Sequence, residues 1–431
     1  MYATKPLSLF KSHPEAASRP PPEGRNTGYL VVKGPGDDGE TCCWGTCGGT
    51  RVRDLPFPQN RVLTVRYTED HGEGSATYAD AVVFVPVPDQ PLASNRYYPP
   101  THFPAPCAMF QIITATGIAY MGSRRQNVSH PRVTVEDFMP MPRWFPSPPS
   151  LAFRRHEAAW IAAANQLNAS GVLLVVRSCP EVEQPRVFPL LQELFRKPVL
   201  PAGLLLPEDG LRESDGDHGD GTGVAVARSS ALQWLDEQPP GSVVYVALGS
   251  EAPVTAASVR ELAAGLELSG ARFLWALRPP SGAAAGTPLL PDGFEERTRA
   301  RGMVCAGWVP QVRVLAHAAV GAFLTHSGWG SVAESLRFGL PLVMLPFILD
   351  QGLIARMMAE RGVGVEVERR DDDGWFGRDD VAEAVRRVMV GEEGKMLARN
   401  ARRLREAVVG DDGGRQELYV DELVQFLQRH K

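Results

Sequence analysis

The strongest constraint on the fold is a repeated alternation of short apolar runs and amphipathic segments across residues 228–431. The apolar runs contain no polar alternation, which is typical of strands buried on both faces of a parallel sheet. The intervening segments place apolar residues three and four positions apart, as a helix packed on a sheet requires. The predicted strands are 243–248, 272–277, 320–325, 342–346 and 363–367. The predicted helices are 255–268, 311–317, 329–338, 350–361, 378–390, 395–408 and 416–429. Repeated βα units of this kind predict an α/β fold with a parallel sheet that is covered by helices on both faces.

Proline usage divides the rest of the chain, because residues 1–150 hold 21 of the 37 prolines. Proline lacks a backbone donor and suits loops and strand edges, so residues 1–102 are predicted to be a Pro/Gly-rich β-type segment, with strands at 61–67 and 81–87. Residues 103–206 return to α/β patterning and form the next predicted region. Residues 207–227 are acidic and glycine-rich and are predicted to be a flexible linker. The C-terminal domain is then 228–431. The elements predicted within 103–206 are a helix at 151–168, a buried strand at 171–177, a helix at 189–196 and a loop at 140–149.

Charge and composition exclude several classes of function. The net charge of −5 does not support a nucleic-acid-binding surface. No stretch approaches the ~20 apolar residues that span a bilayer, and the N-terminus lacks a secretory signal, so we expect a cytoplasmic chain with reduced thiols. Zinc binding by Cys42, Cys43 and Cys47 is disfavoured, because a fourth ligand and CxxC spacing are absent, and no metal site is predicted.

Two strand-to-helix turns, 248–250 (LGS) and 325–331 (THSGWGS), carry most of the predicted chemistry. In doubly wound sheets, ligands bind at the carboxyl ends of the strands. Glycines allow a close approach of backbone to ligand, and a helix N-terminus offers free N–H groups and partial positive charge. Ser250 and Ser331 add hydroxyl donors, and His326 adds a donor that can be cationic. This combination suits a diphosphate.

Four further side chains complete a candidate nucleotide-sugar site. Glu334 lies one helical turn past the second glycine turn and can hold a ribose diol, while Trp308 can stack on a base. Asp350 and Gln351 open the next helix and can grip sugar hydroxyls. Each residue alone has a simpler structural interpretation: a satisfied histidine at His326, a core tryptophan, or an N-cap aspartate. Their joint spacing favours the site.

Residues 308–351 resemble the 44-residue signature box of plant UDP-sugar-dependent glycosyltransferases almost throughout, in the stretch WVPQVRVLAHAAVGAFLTHSGWGSVAESLRFGLPLVMLPFILDQ. The similarity extends from about Ala105 to the C-terminus and includes 234–236, 243–250 and 293–297. In detail it is closest to the branch-forming subgroup, which adds a sugar to an existing glycoside. The resemblance implies a GT-B fold of two Rossmann-like domains, of which 103–206 is a truncated acceptor-side domain.

The resemblance also implies a role for each matched residue. Trp308 would stack on uracil, Val309 would contact it through the backbone, and Gln311 and Glu334 would bind the ribose. Ser250, His326 and Ser331 would bind the diphosphate in the turn that also contains Gly328, Trp329 and Gly330. Asp350 and Gln351 would bind the donor sugar, with a terminal Gln going with glucose. The family is inverting and uses no metal or cofactor, because the UDP-sugar is a co-substrate.

The chain departs from this family in its donor turn and at its catalytic pair. Gly330 stands where the family has Asn, which predicts weaker donor binding, and Ser327 replaces the usual Cys. The family's catalytic His follows a first apolar strand, but His13, His71 and His102 lack that setting. Residues 95–103 contain no Asp to orient such a base. The catalytic residues are therefore left unassigned.

Residues before 103 resemble the N-terminal part of an uncharacterised plant domain family in the pieces TCC (41–43), LPFPQN (55–60), 63–67, QPL (90–92) and SNRYY (94–98). Two functions remain open. The first is a UDP-glycosyltransferase acting on a flavonoid or terpenoid glycoside or another small plant metabolite. The second is a non-catalytic UDP-sugar-binding protein, or a chimeric remnant in which a foreign N-terminus replaces the catalytic half-site. A nucleotide-sugar epimerase or hydrolase is disfavoured, since the missing base gives no route to either.

Overall fold

The computed structural model describes twelve stretches of the chain: 29–32, 42–45, 64–69, 76–82, 108–145, 151–164, 173–206, 223–249, 252–278, 289–306, 309–410 and 414–429. The chain divides into two compact units. Unit 1 comprises residues 1–131, 166–208 and 408–431, and unit 2 comprises 132–165 and 209–407. The predicted boundaries at 102, 206 and 227 stay predictions.

The elements are numbered in chain order. The strands are β1 (Tyr29–Val32), β2 (Cys42–Gly45), β3 (Thr64–Glu69), β4 (Ala76–Val82), β5 (Ala108–Gln111), β6 (Leu173–Val176), β7 (Val199–Pro201), β8 (Val243–Ala247), β9 (Arg272–Leu277), β10 (Gly302–Ala306), β11 (Val320–Thr325), β12 (Leu342–Met344) and β13 (Gly364–Glu366). The helices are α1 (Ala115–Met121), α2 (Arg124–Ser129), α3 (Val135–Phe138), α4 (Arg155–Ala164), α5 (Val187–Phe195), α6 (Gly223–Asp236), α7 (Ala256–Ser269), α8 (Phe294–Thr298), α9 (Gln311–Leu315), α10 (Trp329–Phe338), α11 (Gln351–Glu360), α12 (Arg378–Met389), α13 (Gly391–Val409) and α14 (Arg415–Arg429). None of these helices is long and apolar enough to cross a membrane, within the described stretches.

The proline-rich segment forms short antiparallel pairs. β1 pairs with β2, and β3 pairs with β4 with a register shift between Tyr67 and Thr68. The strand predicted at 61–67 overlaps β3. The strand predicted at 81–87 shares only its first two residues with β4, and the remainder lies outside the described residues. Antiparallel hairpins need only short connections, which suits a chain interrupted by proline and glycine.

Unit 1 contains a three-stranded parallel sheet in the order β5-β6-β7. The backbone donors that open α1 are satisfied by the buried Glu183, whose carboxylate accepts from Ala115 N at 2.7 Å and Thr116 N at 2.9 Å. Burial raises the pKa of Glu183 despite these donors. Within the same unit, α14 is held by Arg415, which donates to Glu181 at 2.7 Å, and by Gln416, which accepts from Leu205 N at 3.0 Å.

Unit 2 is built on a six-stranded, all-parallel sheet in the order β10-β9-β8-β11-β12-β13. This is the order 3-2-1-4-5-6 of doubly wound dinucleotide-binding sheets. α7 and α12 pack over one face, and the core combines apolar side chains of both helices with those of the strands, among them Val244, Val246, Val259, Leu262, Leu266, Phe273, Trp275, Val381 and Val385. The apolar runs are buried from both sides, so the parallel sheet is confirmed.

Some predicted elements differ from those observed. β9, β11 and α10 have the predicted bounds, whereas β10 was missed because it is an edge strand whose residues are mostly only partly buried. The helix predicted from residue 151 begins at Arg155. Its start is fixed by Glu157, whose carboxylate accepts from Arg154 N at 2.9 Å and closes the first turn. The predicted residues 165–168 lie outside the described stretches.

A glycine at the crossing of α7 and α12 gives a test of this packing. A Cβ added at Gly265 would lie 2.5 Å from Val381 Cβ and 2.8 Å from Arg378 O. In an exposed helix, Gly→Ala stabilises by about 1 kcal/mol. Here we expect Gly265→Ala to lower the free energy of unfolding by about 1–3 kcal/mol, because α12 must move away from α7.

Urea denaturation measures this change in the free energy of unfolding. The control Leu268→Ala truncates an exposed side chain on the same helix and should change stability by less than about 0.5 kcal/mol. A more stable Gly265→Ala variant would contradict the packing.

Candidate functional site

The candidate site lies at the point where the winding of the unit 2 sheet reverses. β8 and β11 are hydrogen-bonded neighbours, but the chain continues from β8 to β9 on one side and from β11 to β12 on the other. Their carboxyl ends are aligned, since Thr325 is paired with Ala247. The two turns singled out in the sequence therefore open at the same edge of the sheet. This is where doubly wound proteins leave a crevice for a ligand.

The His326 ring packs against two glycines from these turns. A Cβ at Gly249 would lie 2.7 Å from His326 Cε1, and a Cβ at Gly328 would overlap His326 Nε2. Both positions therefore exclude larger residues, and Gly249 also has a φ of 71°. The glycines serve the approach of backbone to this imidazole.

His326 is neutral at physiological pH, which corrects the expectation of a cationic donor. The residue is 8% exposed, and burial lowers its pKa to about 4. Its Nδ1 is buried without a hydrogen-bond partner among the described residues. A neutral imidazole can still donate one hydrogen bond, so His326 can serve an anion as a dipole, without contributing a charge.

The start of α10 forms the second part of the site. Its N-cap Gly328 offers no side-chain cap, and Ser327 before it adopts φ 65°, an uncommon left-handed conformation for a non-glycine residue. The Ser327 hydroxyl is buried without a partner among the described residues. Gly330 and Ser331 are only partly buried, while Trp329 is 5% exposed. The uncapped N-terminus of this ten-residue helix, placed at the end of a strand, is suited to binding an anion.

The two side chains predicted to bind ribose contact each other. Gln311, the first residue of α9, donates from Nε2 to Glu334 Oε2 at 2.8 Å and to Ser331 Oγ at 3.4 Å. Glu334 lies on α10 and is 5% exposed. The Gln311–Glu334 contact fixes the carboxylate beside the α10 turn. The structure thus brings Gln311, Ser331 and Glu334 together at the start of α9 and along α10.

The predicted sugar end lies at the start of α11. Asp350 is at the N-cap but makes no side-chain cap, so the simple N-cap interpretation does not account for its carboxylate. Burial raises the pKa of Asp350 to about 6, and Oδ2 is buried without a partner within the described residues. Gln351 is 2% exposed, and its Oε1 accepts from Phe347 N at 2.9 Å and Ile348 N at 3.1 Å. Gln351 therefore shapes the preceding loop, which leaves its amide nitrogen for a ligand.

Several predicted residues cannot be placed. Ser250 and Trp308 lie outside the described residues, whereas Val309 is described and is 6% exposed. His13, His71, His102, Cys47 and residues 95–103 lie outside as well, and of Cys42 and Cys43 only the backbone strand is described. Within the described stretches, no three His, Cys, Asp or Glu side chains come together in a group that could hold a metal ion.

Sequence reasoning missed two features of the site. The left-handed backbone at Ser327 left no pattern in the sequence. The packing of Gly249 against His326 had one available signal, the glycine directly after an apolar strand.

The strand order and the paired turns define a Rossmann-like α/β protein. The family model described as UDP-glucoronosyl and UDP-glucosyl transferase matches residues 230–406, and a model described as a protein of unknown function matches residues 23–101. UDP-glycosyltransferase 91D2 of Stevia rebaudiana is 41% identical over 337 residues, covering 75% of this chain and 69% of that protein. Soyasaponin III rhamnosyltransferase of Glycine max is 37% identical over 62% of this chain and 54% of its own.

Among solved structures, Phytolacca americana UGT2 complexed with UDP-2fluoro-glucose and pterostilbene is 32% identical, with a TM-score of 0.50. The match covers 59% of this chain and 54% of that one. The chain belongs to the plant UDP-glycosyltransferase family. The predicted α/β fold of the GT-B class, preceded by a β-type N-terminal segment, is confirmed. The chain spans about two thirds of the length of its curated relatives and little more than half of the solved one.

The burial of His326 predicts a pH dependence of stability. An unfolded His titrates near its ordinary value of 6.5, while the folded His326 titrates at about 4, so the folded state binds fewer protons between these values. Its contribution to stability is complete above pH 6.5 and is lost as the pH falls to 4. From pH 7 to pH 5, we expect the wild-type chain to lose roughly 2 kcal/mol more of its unfolding free energy than His326→Asn.

Denaturant titrations of both proteins at both pH values measure this difference. The raised pKa of Asp350 affects stability in the opposite direction, but it is present in both proteins and therefore cancels. The control His130→Asn, at an exposed position, should follow the wild type. Parallel pH curves for wild type and His326→Asn would contradict the burial of the ring.

Proposed function

We propose that this chain is an inverting, metal-independent UDP-glycosyltransferase that transfers a hexose to a small plant metabolite or its glycoside. The observation that carries the proposal is the convergence, at one switch point, of an uncapped helix start, a neutral buried histidine and the Gln311–Glu334 pair. A nucleoside diphosphate needs these three kinds of group. Backbone N–H groups meet phosphate oxygens, and a carboxylate accepts from ribose hydroxyls.

In this proposal the diphosphate is held at the start of α10, with Ser250, His326 and Ser331 as donors and Gly328, Trp329 and Gly330 supplying the turn. Trp308 and Val309 hold the uracil. Donors at this end stabilise the charge that develops as UDP departs, which is the electrostatic part of the catalysis. The acceptor oxygen forms a bond to the anomeric carbon of the sugar. The bond between that carbon and the phosphate oxygen of UDP breaks, and its electron pair leaves with UDP. The acceptor proton goes to a general base, which the sequence does not assign.

The favoured donor is UDP-glucose. Asp350 and Gln351 are the residues for the sugar, and the unpartnered Oδ2 of Asp350 supports a role as acceptor for a sugar hydroxyl. For the acceptor, we propose a flavonoid or terpenoid glycoside, consistent with the resemblance to the branch-forming subgroup. No cofactor beyond the UDP-sugar co-substrate, no nucleic acid and no membrane span enter this proposal, and the chain would act in the cytoplasm.

A second candidate is a non-catalytic UDP-sugar-binding protein or chimeric remnant that lacks the catalytic His/Asp pair. One observation favours it. Residues 23–101, where the transferases carry their catalytic His, match an unrelated family of unknown function. General-base catalysis contributes about 10²- to 10⁴-fold, so a donor site without its base would bind and barely turn over.

One pair of assays on the purified full chain separates the two candidates. UDP is titrated by calorimetry, and transfer from UDP-glucose is then measured with a panel of flavonol and triterpenoid glucosides. Binding with efficient transfer supports the transferase and shows that a base is present. Binding without transfer to any member supports the second candidate. Absence of UDP binding contradicts both.

The departure at Gly330 predicts a gain in donor affinity. Gly330 is the second residue of α10 and is partly exposed, so an asparagine there would carry its amide in the first turn of the helix, where the diphosphate is proposed to bind. A hydrogen bond to a charged group contributes about 1.5–3 kcal/mol, so we expect Gly330→Asn to tighten UDP binding about tenfold or more by calorimetry.

The matched control is Gly270→Asn at the left-handed C-cap of α7, where a Cβ would meet nothing within 4 Å. Asparagine tolerates that conformation, so UDP affinity should not change. Unchanged affinity in Gly330→Asn would refute the assignment of this position.

A further inference from the structure

A buried carboxylate on α4 contacts the helix that carries the sugar-binding residues. Glu157 is 1% exposed, and its two oxygens accept from Arg356 NH1 at 3.1 Å and NH2 at 2.7 Å. Arg356 lies on α11 and is 8% exposed. Both residues belong to unit 2. Two parallel charge-assisted hydrogen bonds fix orientation as well as distance, so α4 holds α11 in one position.

The same carboxylate also lies against the first turn of α11. A Cβ added at Gly352 would overlap Glu157 Oε1 and lie 2.7 Å from Oε2. Gly352 directly follows Gln351, and Arg356 lies one turn further along the helix. Glu157 therefore contacts α11 twice within its first turn and a half. Its contact at Gly352 is with backbone, one residue from the predicted sugar-binding pair.

Charges around Glu157 keep it ionised and in place. Burial alone would raise the pKa of Glu157, but the charge and hydrogen bonds of Arg356, together with the hydrogen bond from Arg154 N, lower it. Arg154 NH1 lies 3.0 Å from Glu366 Oε1, and Glu366 lies 3.8 Å from Arg356 NH1. Acidic and basic groups therefore alternate in this ion-pair network, which runs from Arg154 through Glu366 and Arg356 to Glu157. Removing one buried partner would leave an uncompensated charge, so the position of α11 depends on Glu157.

We propose that Glu157 is a positioning residue for the donor sugar: its carboxylate sets the first turn of α11, and with it Asp350 and Gln351, where they meet the sugar. Gln351 is the connecting element. Its side chain accepts from Phe347 N and Ile348 N, so a displaced helix start would also displace the loop that precedes Asp350. The ion pairs of this network lie at the start of α4, on α11 and on β13, whereas Gln311 and Glu334 lie on α9 and α10. This inference rests on the proposed function, because it concerns the sugar half of the same donor.

The test compares UDP with UDP-glucose by calorimetry on the full chain, since only UDP-glucose has a sugar to contact Asp350 and Gln351. We expect Glu157→Gln to weaken UDP-glucose binding at least tenfold while UDP affinity changes less than about twofold. Gly352→Ala tests the same contact from the other side, through the overlap at Oε1, and should give the same selective loss if Glu157→Gln does not fold.

Two controls separate positioning from general loss of structure. Leu262→Ala creates a cavity in the core under α7 and should lower the melting temperature without changing the ratio of the two affinities. Glu267→Gln removes a bidentate pair with Arg297, 2.7 and 2.9 Å long, at an exposed position, and should change neither affinity.

The outcomes of this test distinguish the inference from the proposed function. If Glu157→Gln and Gly352→Ala leave the ratio of the UDP and UDP-glucose affinities unchanged, the positioning role is overturned and the donor site still stands. A wild-type chain that binds UDP but gains nothing from the glucose also overturns the inference alone. A wild-type chain that binds neither ligand overturns the inference and the proposed function together.

Discussion

The hydrogen-bonded pairing of β8 with β11 is the interaction on which the candidate site depends. These strands are separated by more than seventy residues of chain, yet their register brings the ends at Ala247 and Thr325 level. Because the chain winds away from them in opposite directions, the sheet topology leaves a crevice between their turns. A register shift of one residue would turn the side chains of a strand to the other face and separate His326 from Gly249. The site is therefore a consequence of sheet topology first and of side-chain chemistry second.

Much of unit 2 could be predicted from the sequence, because its strands are buried on both faces and its helices are amphipathic. β9, β11 and α10 have the predicted bounds, and Gln311 and Glu334, the two residues that the resemblance matches to ribose binding, contact each other. The neutrality of His326 was not predictable, since it arises from burial that only the assembled turns produce. Glu157 was missed because its contact with Arg356 joins residues 199 positions apart, and no local pattern marks such a pair.

The chain combines a six-stranded, doubly wound sheet in unit 2 with an N-terminal region of different character. Within the described residues, unit 2 has six parallel strands in the doubly wound order, and unit 1 has three parallel strands. The four strands described before residue 83 pair as short antiparallel ribbons. Donor binding and turnover are therefore separate properties of this chain. In the proposed function the groups for the donor lie in unit 2, and the base for the acceptor is the part that the sequence leaves unassigned.

The most direct test of the central claim, that the β8–β11 switch point holds a nucleoside diphosphate, is a comparison of UDP and uridine by calorimetric titration of the full chain. If the uncapped start of α10 and the neutral His326 meet the phosphates, UDP binds at least tenfold more tightly than uridine. If the two bind equally, or neither binds at millimolar concentration, the assignment of this edge of the sheet as a diphosphate site is wrong.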